Sequence, residues 1–365
     1  MNTVAIKFDA FEDLKNEECQ ERILRAKKAL GNKVVILGHH YQNETVYRHA
    51  DLTGDSLKLA KYVDQLEAKY IVFLGVHFMA EVANILSRAD QITVLPDLSA
   101  GCSMADMANL AKVERTYREL SKVLDFDQTI TPITYINSAA DLKAFCGEHG
   151  GIVCTSTNAP KILDWAFQQK EKVLFFPDQH LGRWTGYKSG VSLDEMPIWD
   201  PDLPLGGLDE KTISKAKVLL WKGHCAVHQM FRPEHIKIFR EKYPDGKVIS
   251  HPESPFEVCE NSDFVGSTEF ILNTIQEAKP NTQWLVGTEL NLVNRLANEM
   301  KSEGKLVKFM SHIVCECSTM ARIDPQHLAW TLENILNDKP VNIIEVPKKE
   351  ADLARLALDR MLQVN

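Results

Sequence analysis

The chain has 365 residues, 44% of them apolar and 25% charged, with a formal net charge of -8, enough apolar material for two or three domains with cores of their own. The acidic balance and the lack of a Lys/Arg-rich block exclude a nucleic-acid surface, whose affinity rests on neutralising phosphates, and no apolar run reaches the about 18 residues of a membrane span. MNTVAIKFDAFEDL lacks a basic stretch followed by a long apolar one, so a cytoplasmic location is expected, and eight cysteines in a reducing compartment point to metal binding or catalysis rather than disulfides.

A helical pattern from about Glu12 to Leu30, with Ile23, Ala26 and Leu30 at helical spacing, closes at Gly31-Asn32. The first strand, KVVIL, runs into Gly38-His39-His40-Tyr41-Gln42, a polar cluster at a strand's C-terminal end, where open α/β sheets place their ligands. Asp55 or Ser56 is then expected to cap the helix of GDSLKLAKYV. A second strand, YIVFLGVHF, and a third ending at Cys102 complete a first unit over 34–102.

After a polar, helical connection through 103–130 the same grammar returns. ITYINS ends in Tyr135 and Asn137, GIVCTSTNAP in Thr155, Ser156 and Asn158, VLFFPDQHLG in Asp178 and His180, and KVLLWKGHC in Cys225. A third round over 247–317 ends its strands in His251 and Glu253, in Ser267 and Thr268, in Glu289 and Asn291, and in Cys317. Apolar strand, polar turn and amphipathic helix in alternation are the sequence sign of a parallel sheet. The expected fold is α/β, with three similar three-layer domains (1–112, 113–225 and 226–317) whose short parallel sheets have a pseudo-threefold arrangement around a central site. Asp324-Pro325 opens a further helix as N-cap and first helical residue, and 318–365 is expected to pack back on the first domain.

Such an arrangement brings together three thiols, Cys102, Cys225 and Cys317, each delivered by a strand end. Three lone cysteines are an unusual pattern for zinc but suit an iron-sulfur cubane that leaves one iron without a protein ligand. Spacing alone leaves that reading open beside the plainer one of cysteines packed in cores.

GHHYQ, LPDLSAGCSMAD, TYINSAADLKAF, CTSTNA, FFPDQHLGRWTG, KGHCAVHQMF, HPES, FVGSTEFI, VGTELNLVNRL and CSTM, in this order from about residue 33 to 325, together resemble the quinolinate synthase family. The resemblance implies condensation of iminoaspartate with dihydroxyacetone phosphate to quinolinate, with release of phosphate and two waters, in de novo NAD biosynthesis. It also implies an oxygen-sensitive 4Fe-4S cluster on Cys102, Cys225 and Cys317. The third site departs from the longer CxxCxxC of some members, because only Cys315-Glu316-Cys317 is present. Cys317 is chosen for its spacing to Met320, with Cys315 the alternative. Cys19, Cys146, Cys154 and Cys259 are expected to be packed thiols.

By the same resemblance, His39 and Tyr41 of the HxY motif and His251 and Glu253 of the HPE motif are the proton-handling groups, with Glu253 as the main general base. Ser56, Tyr135, Asn137, Ser156, Ser267 and Thr268 complete the substrate-binding set with His39, His251 and Glu253. The serines and threonine lie where a strand turns into a helix, so backbone N–H groups and the helix dipole can receive anions there, although each taken singly also fits a plain N-cap. His224, His228 and Arg183 stand outside this core set. Expected partners are the two substrates, L-aspartate oxidase as the source of unstable iminoaspartate, and iron-sulfur assembly proteins. The other readings are a 4Fe-4S hydro-lyase for a small hydroxy-acid and a non-catalytic cluster or redox protein, which expects a fourth cysteine ligand and has no use for His251-Pro252-Glu253.

Overall fold

The computed structural model describes residues 4–313 and 316–364. Its strands form three separate sheets, and every ladder within them is parallel. The first contains β1 (Val34–His39), β2 (Leu52–Gly54), β3 (Tyr70–Leu74) and β4 (Ile92–Val94), in the order β2-β1-β3-β4. The second contains β5 (Ile130–Tyr135), β6 (Ile152–Cys154), β7 (Lys172–Phe176), β8 (Ile198–Trp199) and β9 (Val218–Trp221), in the order β6-β5-β7-β9-β8. The third contains β10 (Lys247–Ser250), β11 (Phe264–Val265), β12 (Gln283–Gly287) and β13 (Leu306–Phe309), in the order β11-β10-β12-β13.

With β8 set aside as an added edge strand, all three sheets share one winding. The first strand is central, the second flanks it on one side, and the third and fourth follow on the other. Helices cross over between parallel neighbours, as parallel pairing requires, so the strands are covered on both faces. All five residues of β3, six of β5 and five of β7 are buried, which is why these segments read as continuous apolar runs rather than alternating ones.

The chain divides into two compact units, Met1–Cys102 with Glu316–Pro347, and Ser103–Cys315 with Lys348–Asn365. The first unit holds the first sheet, and the helix Pro325–Leu336 lies against the helix Asn16–Leu30. Asp324 caps that helix by accepting from the His327 amide at 2.8 Å, and Pro325 is its first residue. The second unit holds the other two sheets. Around the third sheet, Phe231, Ile236, Phe239, Val248, Val258, Leu285 and Met310 form one core.

The end of the chain corrects one expectation. Lys348–Gln363 is a helix, but it packs on the helix Ala140–Glu148 and on β6 in the second unit rather than on the first domain. Its buried stripe of Ala354, Ala357, Leu358 and Met361 would suit any apolar groove. The position is set by Gly147, which lets the Leu353 carbonyl come close, and by Arg360, which donates to the Gly151 carbonyl at 2.6 Å.

A Cβ at Gly147 would lie 1.9 Å from the Leu353 oxygen. Gly147→Ala should therefore cost about 1–3 kcal/mol, as overpacking does, and loosen the last helix. Lower urea midpoints and faster proteolysis near Pro347 are expected. An unchanged midpoint would show that this helix is not held at Gly147.

Candidate active site

The ends of the three first strands each carry a pair of polar residues two apart, and in two of them the pair is joined by the same bond. β1 ends at His39, whose Nδ1 accepts from the Tyr41 amide at 3.2 Å, and the two rings meet edge-on with centroids 4.7 Å apart. Just beyond β10, His251 Nδ1 accepts from the Glu253 amide at 3.4 Å. In both cases the accepting Nδ1 leaves the ring proton on Nε2, so the imidazole presents a donor. β5 delivers Tyr135 and then Asn137 with the same two-residue step. The first and third strands of each repeat are neighbours across the point where strand order reverses, the usual ligand position of an open parallel sheet.

In the second unit these ends meet. Glu253 is 3% exposed. The Tyr135 hydroxyl donates to its Oε1 at 2.6 Å, and His228 Nδ1 lies 3.0 Å from its Oε2. His251 stacks on His228 with ring centroids 4.8 Å apart and a tilt of 30°. Burial opposes ionisation of Glu253, but its surroundings, the hydrogen bond from Tyr135 among them, lower its pKa to about 2, so it is held ionised. Burial, reinforced by His228, pushes His251 down to about 3, so its ring is neutral at physiological pH. The short helix that follows starts at Phe256, so Glu253 is not its cap.

The loop beyond β9 brings Cys225 to the same place. One donor atom each of Cys225, His228 and Glu253 lies within 4.8 Å of the others. Asp178 pins this loop from beneath: its Oδ1 accepts from the His180 and Leu181 amides at 2.8 and 2.7 Å, and the Gln179 amide reaches the Gly223 carbonyl at 2.9 Å. Asp178 is fully buried, its Oδ2 has no hydrogen-bond partner among the described residues, and burial together with nearby Glu253 raises its pKa well above its ordinary value. The buried amide oxygen of Asn137 likewise has no partner among the described residues, and Lys143, Thr134 and Ser138 knit the turn that carries it.

The strand-to-helix residues divide. Ser267 caps its own helix, accepting from the Phe270 amide at 3.3 Å, and Thr268 is the first helical residue. Capping after β2 falls to Asp55, which accepts from the Lys58 amide at 2.9 Å and leaves the Ser56 hydroxyl out of the cap. Ser156 lies in a turn before a helix whose N-cap is Asn158. His40 bonds the Tyr47 hydroxyl at 2.9 Å, a holding role.

The cysteines separate in the same way. Cys19, Cys146, Cys154 and Cys259 are buried, and desolvation raises each thiol's pKa, whereas Cys102, Cys225 and Cys317 are partly exposed. The Cys317 thiol lies 3.3 Å from the Thr319 hydroxyl. Cys315, the alternative third ligand, lies outside the described residues. Two residues missing from the core set belong to the site. His228 follows Cys225 in a Cys-x-x-His step, a recognisable ligand spacing, whereas Asp178 is marked in the sequence only as a polar residue at a strand end.

A buried ionised carboxylate flanked by a phenol and two imidazoles, at the strand ends of a parallel α/β fold, defines an enzyme that moves protons. The family described as "Quinolinate synthetase A protein" matches residues 21–363. Quinolinate synthase of Acidobacterium capsulatum is 50% identical over 360 residues, 99% of this chain and 96% of the relative. That of Herpetosiphon aurantiacus is 51% identical, covering 97% and 94%, and that of Corynebacterium glutamicum 49%, covering 98% and 90%. The chain belongs to the quinolinate synthase family.

Tyr135→Phe removes one hydrogen bond to a buried charge, an interaction of about 1.5–3 kcal/mol. Urea unfolding should show a loss of this size, and a loss below about 0.5 kcal/mol would mean that the phenol is not a significant partner of Glu253.

Proposed function

We propose that the chain condenses iminoaspartate with dihydroxyacetone phosphate to quinolinate, releasing phosphate and two waters, in de novo NAD biosynthesis. The observation that carries this reading is the buried Glu253 carboxylate kept ionised among Tyr135, His228 and His251. The overall equation balances in atoms and electrons without an oxidant. The site therefore needs bases, acids and an electrophile rather than an electron carrier, which argues against the redox reading.

Glu253 takes the proton from the carbon of iminoaspartate that becomes nucleophilic, and its ionised state at neutral pH makes it competent to do so. Neutral His251 offers its Nε2–H to a substrate oxygen, and His39 with Tyr41 handles the triose and its isomerisation. Asn137, whose amide oxygen is unmatched among the described residues, takes part in substrate recognition with Tyr135, Ser56, Ser156, Ser267 and Thr268.

The donor set fits an iron-sulfur cluster, because among the described cysteines Cys102, Cys225 and Cys317 are partly exposed while Cys19, Cys146, Cys154 and Cys259 are buried. Cys102, Cys225 and Cys317 would hold a 4Fe-4S cluster, which on three cysteines supplies one open iron as a Lewis acid for a substrate oxygen or nitrogen. We assign the protein to the cytoplasm, consistent with the absence of a helix long and apolar enough to cross a membrane among the described residues. L-aspartate oxidase, to supply an imine that does not persist in water, and iron-sulfur assembly proteins are the proposed partners.

Cys102→Ala, Cys225→Ala and Cys317→Ala should each lose iron after anaerobic reconstitution, while Cys19→Ala and Cys259→Ala keep it. Full iron in Cys317→Ala with loss in Cys315→Ala would move the third ligand by two residues. Glu253→Gln should fold and keep its iron while quinolinate formation falls about 10²- to 10⁴-fold. Turnover within a few-fold of the parent would remove Glu253 as the base, and failure of the parent enzyme to consume dihydroxyacetone phosphate would refute the reaction itself.

A further inference from the structure

We propose that Cys225, His228 and Glu253 form a site for a single divalent transition-metal ion of the zinc class in the cluster-free protein. The exclusivity drawn below rests on the proposed cluster ligation by Cys225; the site itself does not. One donor atom from each residue lies within 4.8 Å of the other two, and His228 Nδ1 and Glu253 Oε2 are already 3.0 Å apart. Around tetrahedral zinc, with bonds of about 2.0–2.3 Å, neighbouring donors sit roughly 3.3–3.8 Å apart. With donors already within 4.8 Å of one another, closing around an ion requires movements of no more than about 1–1.5 Å.

The donor chemistry agrees with the spacing. Thiolate, imidazole and carboxylate are all zinc ligands, and three protein ligands with one position open is the arrangement of catalytic rather than structural zinc. Glu253 and His228 are buried, and Cys225 is partly exposed, which gives an ion a way in. The outer partners exist too: the Tyr135 hydroxyl holds Glu253 Oε1, leaving Oε2 for an ion, and His251 stacks on the His228 ring. All three donors belong to Ser103–Cys315, so the site needs nothing from the other unit, which supplies Cys102 and Cys317.

Two consequences follow. An ion bound here occupies Cys225, so it and a cluster on Cys102, Cys225 and Cys317 exclude each other. It also occupies the carboxylate assigned as base, so zinc-loaded protein is inactive even when substrates are present.

The test uses full-length apoprotein, stripped anaerobically with a chelator and titrated with zinc against a chromophoric competitor, and in parallel with cobalt(II). Expected are one tight site per chain, and a tetrahedral cobalt spectrum whose sulfur-to-metal band has the intensity of one Co–S bond. Cys225→Ala and His228→Ala should weaken zinc binding by at least about 100-fold, while Cys102→Ala and Cys317→Ala leave it unchanged. Loss of the site in Cys102→Ala or Cys317→Ala, a cobalt band of three thiolates, or no stoichiometric zinc binding would overturn the proposal. Iron reconstitution of the unmodified chain is scored separately. Zinc binding without iron uptake refutes the cluster while leaving this site standing, and iron uptake without zinc binding does the reverse.

Discussion

A carboxylate taken out of water stays ionised only if the protein replaces the hydration it has lost. Glu253 meets that condition with a phenol from the end of β5, an imidazole from the loop beyond β9 and a second imidazole two residues before it in the chain. These groups come from two different sheets of one compact unit. The charge is therefore stable only when β5, β9 and β10 all end where they do, and the helices and lysines that hold those ends serve this one requirement. Lys172 and Lys305 illustrate the cost of order elsewhere in the same unit. Each is buried, and each is satisfied by carbonyls at or just beyond a helix C-terminus, Ser214 and Ala216 for one and Ile275 and Gln276 for the other.

The shared winding explains why the candidate site residues recur at equivalent positions. A first strand that is central and next to the order reversal has its C-terminal end open to a ligand, so the polar pairs His39 and Tyr41, Tyr135 and Asn137, and His251 and Glu253 all occupy that position. Second strands lead into helix starts and carry Ser56, Ser156, and Ser267 with Thr268. Fourth strands precede Cys102, Cys225 and Cys317. The amide-to-imidazole bond made within the first repeat, Tyr41 to His39, reappears in the third as Glu253 to His251. A common local geometry survives where the side chain two residues on has changed from phenol to carboxylate.

Most of this was legible in the sequence because parallel strands buried on both faces leave continuous apolar runs, and the polar residues that interrupt them mark strand ends. The three sheets, the first-strand pairs and the thiols after the fourth strands all came from that rule. His228 was not legible as a partner of Glu253, because it sits in a single 3-10 turn, His228–Met230, where no periodicity reports which way a ring faces. Asp178 is legible as a polar residue at a strand end; that its second oxygen is buried near another carboxyl is a tertiary fact. The amphipathic stripe of Lys348–Gln363 announces that the helix docks without saying where, and the bare Gly147 that receives it looks like any other helical glycine.

The pairing of Asp178 with Glu253 bears on how an acidic chain holds anions. Two ionised carboxylates side by side in a buried site repel each other and any carboxylate or phosphate brought near them. The two groups are shifted in opposite directions instead: the surroundings of Glu253, Tyr135 among them, lower its pKa, while burial and the Glu253 charge raise that of Asp178. Environments that separate two acids in this way mark a division of roles. Glu253, the group proposed to take a proton, keeps its charge beside a His251 ring that is uncharged at physiological pH. For the proposed substrates, which carry two carboxylates and a phosphate, attraction then comes from N–H and O–H groups at strand ends and helix starts. Such groups hold an anion without quenching the base beside it, as a lysine or arginine placed against Glu253 would.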